Sequence, residues 1–547
     1  MDVRRKHLLH AVMILLALAG YLFALNYRRD EVPRGLNNDV AEEGLRGIQL
    51  LEAKRLEVIN AHGVNADGRH FGHSMETLYL YLVGFAAEVL GSTSLAVHAT
   101  TWGFTLASIV LLCAVVRRLR PGMPVAIPLL LAVSSVWLFH YGRSGLRANT
   151  APLFMLAFAL ALDSVERDER PRFWKATACG GILGAGLYGY TACRVLPVAF
   201  LLYVALSMLR GHGALRGLKI GSAVALGALV VSIPNLVYLA ENGREFLTRG
   251  AYVLPAHLPD AARNLLHSLA LPLFYPWYSK AVDATHHFDG VSFGLTVAGL
   301  RPIHPLIGLA IVAGVVQAWR LRRTPIVSLL FSIWTVSLLA LGISGPSLTR
   351  FLIVLPVFLV VAALGIEPLL ARPWTRRATV AALCLLAAAQ ASDYFVRLSR
   401  DPKSAREFAE AATDIGRRAR ALAGTDRQVL CIVAGDANVV HYLTYDGGRK
   451  VAIKEFWHRR PDPREIPFQR VAPEVILVER HPDLAFLHDA FLPLGRRETH
   501  PLFDEFFVDP AWDWQTLSLK EGPDSPLEKP VAGYRSDTAA TTIQVIL

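Results

Sequence analysis

Residues 37–79 read NNDVAEEGLRGIQLLEAKRLEVINAHGVNADGRHFGHSMETLY, a polar stretch caught between two hydrophobic ones. Asp39, Glu42, Glu43, Arg46, Asp67, His70 and His73 crowd together where the chain leaves its first apolar run. Only Asp30 and Glu31 precede them as carboxylates beyond that run. Ionisable chemistry concentrated at one edge of a hydrophobic region marks this segment as one wall of an active site. Asp39 and Glu43 are four positions apart, so a helix here places both on one face. Glu42 and Glu43 lie beside Asp39 there, or simply solvate the loop.

Outward from this segment the chain is apolar. Its 547 residues are 53% hydrophobic and 18% charged, with a mean hydropathy of +0.37, which belongs to a membrane protein. Runs long enough to cross about 30 Å of hydrocarbon fall at residues 8–27, 94–116, 125–141, 150–165, 176–193, 196–209, 220–240, 302–318, 326–343, 351–370 and 378–395. That gives about eleven transmembrane helices. Residues 76–90 are shorter and carry Glu88, so they read as an interfacial helix. The N-terminal run has the charge order of a signal peptide, but it is long and lacks a small-residue cleavage site. It reads as a retained first helix.

The net charge of +11 would suggest nucleic acid in a soluble protein. Here the basic clusters sit beside apolar runs instead: Arg4, Arg5 and Lys6; Arg117, Arg118 and Arg120; Arg167, Arg170, Arg172 and Lys175; Arg210, Arg216 and Lys219; Arg320, Arg322 and Arg323; Arg372, Arg376 and Arg377. They fall at every second connection, as expected of cytoplasmic loops, so no nucleic-acid partner is implied. On this pattern the N-terminus is cytoplasmic, and the Asp39 loop and the C-terminal part lie outside. Arg28 and Arg29 run against it, in a long loop.

Arg143, Arg147, Arg194 and Arg350 also break the rule, because they fall in short outer loops. Any one of them can be a helix-end side chain that snorkels or pairs with headgroups. Four at the face that carries Asp39 point to a shared anion site. The outer loop 241–301 is too long for a plain connector. Its Lys280, His286 and His287 suit a phosphate, while Asp283, His286, His287 and Asp289 suit a divalent metal or merely solvate the loop. The five cysteines show no disulfide or zinc spacing.

After residue 395 the composition changes. A helix is expected at 405–422, then short strands at 428–433, 439–445, 450–456 and 475–478 and a final apolar TTIQVIL, which together make an α/β domain over 396–547. VAGDANVV lacks the glycine spacing of a nucleotide site.

Residues 1–395 resemble the GT-C superfamily of integral-membrane glycosyltransferases, in the bacterial branch of protein mannosyltransferases and the lipid A aminoarabinose transferase. The resemblance rests on the acidic first outer loop with Asp39, LYLYLVGFAAEVLG, GRSGLR, GLYGYTACRVLP and SLTRFLIVLPVFLVVAALGI, in that order. It implies a polyprenyl-phosphate sugar donor, a glycan, lipid or protein acceptor, and a multi-pass location among the lipids of a bacterial plasma membrane. It also implies Asp39 as general base, with Glu43 as the preferred auxiliary acid. Arg143, Arg147, Arg194, Lys280 and Arg350 would hold the donor phosphate, and Arg46, His73, His286 and His287 would contact substrate. Three positions depart from the pattern: Val40 follows Asp39 where a Glu is common, Gly72-His73-Ser74 replaces Lys-Pro-Pro, and Asn149 replaces an acid. The missing second acid leaves a divalent metal unrequired. The alternatives are a transporter or flippase of a lipid-linked sugar, which would place ionisable groups near the bilayer midplane, and an inactive assembly scaffold.

Overall fold

The computed structural model describes residues 3–54, 56–60, 75–170, 172–209, 214–253, 258–274, 301–342, 347–400, 408–425, 427–445, 450–456 and 473–508. The chain is an α-helical polytopic membrane protein that ends in a small α/β region. Its first helices are α1 (Val3–Asn26), α2 (Asn38–Glu52), α3 (Thr77–Leu90), α4 (Ser94–Leu119), α5 (Ala126–Val133) and α6 (Val136–Ser144). Next come α7 (Thr150–Arg167), α8 (Phe173–Gly186), α9 (Val195–Leu209), α10 (Ala214–Val253) and α11 (Leu258–Phe274). The apolar part closes with α12 (Pro305–Arg320), α13 (Pro325–Gly342), α14 (Leu348–Phe351), α15 (Leu355–Ile366) and α16 (Pro373–Arg400).

Among the described residues, six helical stretches are long and apolar enough to cross a membrane: Ser94–Leu119, Arg147–Arg167, Thr191–Leu209, Leu215–Gly243, Leu348–Leu370 and Pro373–Arg400. Ile14–Asn26, Thr77–Leu90, Pro305–Arg320 and Pro325–Ala340 are apolar but shorter. The run expected as one span at 125–141 is instead broken into α5 and α6. Ser134 donates its hydroxyl to Leu131 O, and the Ser135 hydroxyl accepts the Leu138 N–H at 3.2 Å, so one helix ends and another starts. The short helix expected at 76–90 forms as α3 and stops at Gly91, whose φ of 75° admits glycine readily. All five cysteines are free.

Residues Asn38–Glu52, in the stretch read as a polar loop, form the helix α2. Asn37 caps it by accepting the Asp39 N–H at 2.9 Å, and the apolar positions Val40, Leu45 and Leu50 are buried on one side. Gly47 and Gly84 let α2 and α3 touch backbone to backbone, because a Cβ on either would run into the other helix's main chain. A two-residue antiparallel ladder ties down the far end of the loop. Ile59–Asn60 (β1) pairs with Met75–Glu76 (β2), with Ile59 opposite Glu76.

The C-terminal region contains α17 (Glu410–Ala423), β3 (Val429–Val433), α18 (Ala437–Thr444), β4 (Val451–Glu455), β5 (Val475–Glu479), α19 (Ala485–Ala490), β6 (Gly495–Thr499) and β7 (Phe503–Val508). The sheet order is β4-β3-β5-β7-β6, with β3 parallel to both neighbours and β7 antiparallel to both of its own. Leu430, Ile432, Ile476 and Val478 face one core, and Val429, Cys431, Val433, Val475 and Leu477 face the other, as the two-residue period requires. Two sequence expectations change here. Residues 439–445 are helix rather than strand, since Val439, Val440, Tyr442 and Leu443 make one buried helical stripe. The charged β6 and the mixed β7 form strands that the apolar pattern did not announce. TTIQVIL lies outside the described residues.

This region packs directly on α2. The Leu36 N–H donates to Thr413 Oγ1 at 2.8 Å, Arg34 pairs with Glu410 at 3.2 Å, and Arg417 pairs with Asp30 at 2.9 Å. The Tyr442 hydroxyl donates to Thr93 O at 3.0 Å and Arg420 donates to Ser92 O at 2.8 Å, joining α18 and α17 to the turn between α3 and α4.

Candidate active site

The head of α2 presents Asp39 in its first turn, and the side chain is exposed. A carboxylate there is favoured by the helix dipole. The next acids are different: Glu42 and Glu43 are buried, with 6% and 3% of their surface exposed. Burial of a carboxylate demands a partner, and each has an arginine. Arg46, with none of its surface exposed, meets Glu42 Oε1 through Nη2 at 2.7 Å and Nε at 2.9 Å. Its Nη1 donates to the backbone O of Asn60 at 3.0 Å and to Oδ1 at 3.1 Å, fastening α2 to β1.

Glu43 faces Arg147, whose Nε lies 3.3 Å from Oε1 and whose backbone N–H donates to Oε2 at 3.2 Å. The Arg147 guanidinium continues to Glu76, with Nη1 3.6 Å from Oε2, and stands over the ring of Tyr190. Glu76 Oε1 in turn accepts from Arg194 Nη2 at 2.9 Å and from the Thr191 hydroxyl at 2.8 Å. The row is therefore Glu43, Arg147, Glu76 and Arg194, of which the first three are buried. Ladder pairing of β1 with β2 brings it beside the Glu42–Arg46–Asn60 set.

Burial is the main force on these acids. It pushes the Glu43 carboxyl up to about 8, with Arg147 opposing and Asp39 and Glu42 adding to the rise. Glu42 is also raised, mainly by burial and against the pull of Arg46. For Glu76 burial acts the same way, but Arg147 and Arg194 outweigh it and hold the carboxyl below the ordinary range. At neutral pH Arg147 thus lies between a protonated Glu43 and an ionised Glu76, while Asp39 stands at the surface one turn away.

The five arginines read from the sequence occupy different settings. Arg46 and Arg147 are locked in the buried rows just described. Arg143 is buried under α1: Nε donates to Val32 O at 3.1 Å, Nη1 to Ala24 O, Leu25 O and Tyr27 O at 2.8, 2.6 and 2.9 Å, and Nη2 to Arg28 O and Val32 O. It satisfies carbonyls that the end of α1 leaves unpaired and packs on Phe395. Arg194 and Arg350 are partly exposed. They sit on neighbouring elements, Thr191–Arg194 and α14, which contact each other. α14 is fixed to α6 by Trp137 Nε1 donating to Leu348 O at 3.2 Å and by the Tyr141–Thr349 hydroxyl pair at 2.8 Å.

Asp67, His70, His73, Lys280, Asp283, His286, His287 and Asp289 lie outside the described residues. Asn149, where an acid was looked for, is buried and donates from Nδ2 to Tyr141 O at 2.6 Å and Leu146 O at 3.1 Å, so it braces the α6–α7 turn. At the head of α2, Glu42 is paired with Arg46 and Glu43 holds its proton beside Arg147. That donor set does not fit a divalent cation. Elsewhere among the described residues Glu498, His500 and Glu505 cluster, but Arg418 holds both oxygens of Glu505 at 2.8 and 2.9 Å.

Sequence reading missed Glu76, Thr191 and Tyr190. The signal for Glu76 was present: a lone acid immediately before an apolar helix is an unusual neighbour for hydrocarbon.

The chain is similar in structure to ArnT from Cupriavidus metallidurans bound to undecaprenyl phosphate, with a TM-score of 0.56, 12% identity, and 92% of this chain and 98% of that one covered. It is also similar to the archaeal oligosaccharyltransferase AglB from Archaeoglobus fulgidus in complex with an inhibitory peptide and a dolichol-phosphate, with a TM-score of 0.50, 11% identity, and 87% and 70% covered. The fold is shared. The sequence itself matches no family model and no curated protein. The likeness covers 92% of the chain, and the fold expected from the motifs of the first 395 residues is the one observed.

Proposed function

We propose that this protein transfers a sugar from a polyprenyl-phosphate donor to an acceptor hydroxyl at the membrane face where α2 lies, in one inverting displacement. The observation that carries this reading is Asp39: an exposed carboxylate at the head of a rigidly held helix, followed by two acids that are buried and paired. An acceptor hydroxyl attacking an anomeric carbon must lose its proton to a base within hydrogen-bond reach, and Asp39 takes that role. The bond from the anomeric carbon to the phosphate oxygen breaks as the new glycosidic bond forms. The leaving polyprenyl phosphate gains the charge.

Arg194 and Arg350 are the described cations suited to that phosphate, because they are partly exposed on adjoining elements and arginine offers paired N–H donors. Lys280 remains a proposed contact of the donor phosphate, and His73, His286 and His287 remain proposed substrate contacts. Arg143, Arg147 and Arg46 are buried with their guanidinium groups engaged by protein, and their proposed role is to hold α1, α2 and the ladder in place. Glu43, protonated at neutral pH, lets Asp39 keep its charge without a second carboxylate charge one turn away. The residues through 395 form the transferase unit, with 396–547 outside the membrane and the N-terminus in the cytoplasm.

The neighbouring ArnT structure holds undecaprenyl phosphate, which supports this donor class for the shared fold. The test is mass spectrometry of surface glycans and envelope lipids from cells that make the wild-type protein, Asp39→Asn or neither. A sugar modification present only with the wild type is expected. Identical profiles in all three favour the scaffold or transporter. Reporter fusions after Arg210 and after Arg400 test the orientation, with the first expected inside and the second outside.

A further inference from the structure

At the opposite end of α4 from the Asp39 loop, 26 residues and about 39 Å away, Ala114, Arg117, Arg118, Pro121, Leu160 and Ser164 line a groove of about 530 Å³ between α4 and α7. Asp163 of α7 is fully buried beside it. It accepts Nε of Arg118 at 2.7 Å and Nε of Arg167 at 2.8 Å on the same oxygen. That fixes Arg118 by its Nε alone. Among the described residues, both of its terminal amino groups and the whole Arg117 guanidinium have neither ion-pair nor hydrogen-bond partner. One acid for three arginines leaves the groove strongly cationic, and apart from Ser164 its remaining walls, Ala114, Pro121 and Leu160, are apolar.

We infer that this groove binds one anionic phospholipid of the surrounding membrane, with the phosphate between Arg117 and Arg118 and the Ser164 hydroxyl, and the first carbons against Ala114 and Leu160. Charge complementarity selects the occupant. A phosphate diester presents oxygens to match the unused N–H donors, and its attached hydrocarbon matches the apolar walls and the exposed flank of α4 at Val110. A zwitterionic headgroup would bring its ammonium against the same arginines. The site is independent of the transfer reaction proposed above.

The test is native mass spectrometry of the full chain from detergent with added phosphatidylglycerol or phosphatidylcholine. The wild type is expected to retain phosphatidylglycerol in preference. Arg117→Gln should weaken retention roughly fivefold, the effect of one cation near an anionic phosphate. Ala114→Trp, at an exposed position, should fill the groove and reduce retention at least as much. Replacing the exposed Arg376 and Arg377 by Gln is the control and should leave retention unchanged. Equal retention of the two lipids, equal losses in the control and in Arg117→Gln, or full retention by Ala114→Trp would each overturn the site. So would displacement of the lipid by inorganic phosphate, which would make this a site for a free anion.

Discussion

Gly44 of α2 lies against the ring of Tyr442, so closely that a Cβ at residue 44 would collide with three of its ring carbons. The helix that carries Asp39 is thereby docked face to face on α18. Tyr442 is fully buried and anchored by its hydroxyl at Thr93, so it has little room to withdraw. Gly44→Ala should overpack this contact and cost about 1–3 kcal/mol. Thermal unfolding of the purified protein reads this as a lowered midpoint, and adding Tyr442→Leu should recover part of it. An unchanged midpoint for Gly44→Ala would mean that the two helices separate easily.

How far the sequence led depends on the range of the interaction. The four-residue spacing of Asp39 and Glu43 is local, and it was legible. The apolar runs were legible as well, because length and composition alone decide them. Arg147 and Glu43 are 104 residues apart, and Arg194 and Glu76 are 118 apart, so nothing in either neighbourhood announces the pairing. Arg143 illustrates the same limit. Its position in a basic exception to the loop pattern was visible, but that its donors would go to the carbonyls at the end of α1 was not. In the C-terminal region the apolar run at 439–445 fits both periods, and only packing on α2 and α17 selects the helix.

Two arginines at this face should behave oppositely when removed. Arg147 faces the buried, ionised Glu76, so Arg147→Ala leaves that acid buried with one cation fewer and should cost about 3–5 kcal/mol. Arg350 is partly exposed, so Arg350→Ala should change the unfolding midpoint little while weakening undecaprenyl phosphate binding about tenfold, as expected for a lost charge-assisted contact. Unfolding and lipid-binding titrations on both variants separate the roles. A stable Arg147→Ala, or an Arg350→Ala with full lipid affinity, would contradict the assignment.

Asp39→Asn keeps the size of the side chain but cannot accept the proton. Removing a general base typically slows turnover by about 10²–10⁴-fold. Since Asp39 is exposed and its backbone N–H still reaches Asn37, the variant should fold and bind undecaprenyl phosphate like the wild type. Transfer assayed with membranes as the source of donor and acceptor would show the loss. Near wild-type transfer by a folded Asp39→Asn protein would remove Asp39 from the chemistry.

The pH dependence of stability tests the electrostatics of α2 without any substrate. Glu43 is raised to about 8 when folded from an ordinary value of 4.5, chiefly by burial. Between those limits the native state holds a proton that the unfolded chain releases, so this group's contribution is complete below the lower limit. It is lost as pH rises through the upper one. Glu76, held below the ordinary range, acts with the opposite sign and lower on the scale: its contribution is lost as pH falls. Glu43→Gln abolishes only the first effect. The wild type should therefore lose stability relative to Glu43→Gln as pH rises from about 5 to about 8, measured as the difference between their unfolding midpoints. The charge on Asp39 contributes to the rise, so in an Asp39→Asn background the folded Glu43 carboxyl is more acidic and the loss is complete at a lower pH, with the window narrowed from its upper end. A midpoint difference that stays constant across the range would mean that Glu43 is ionised in its pair with Arg147.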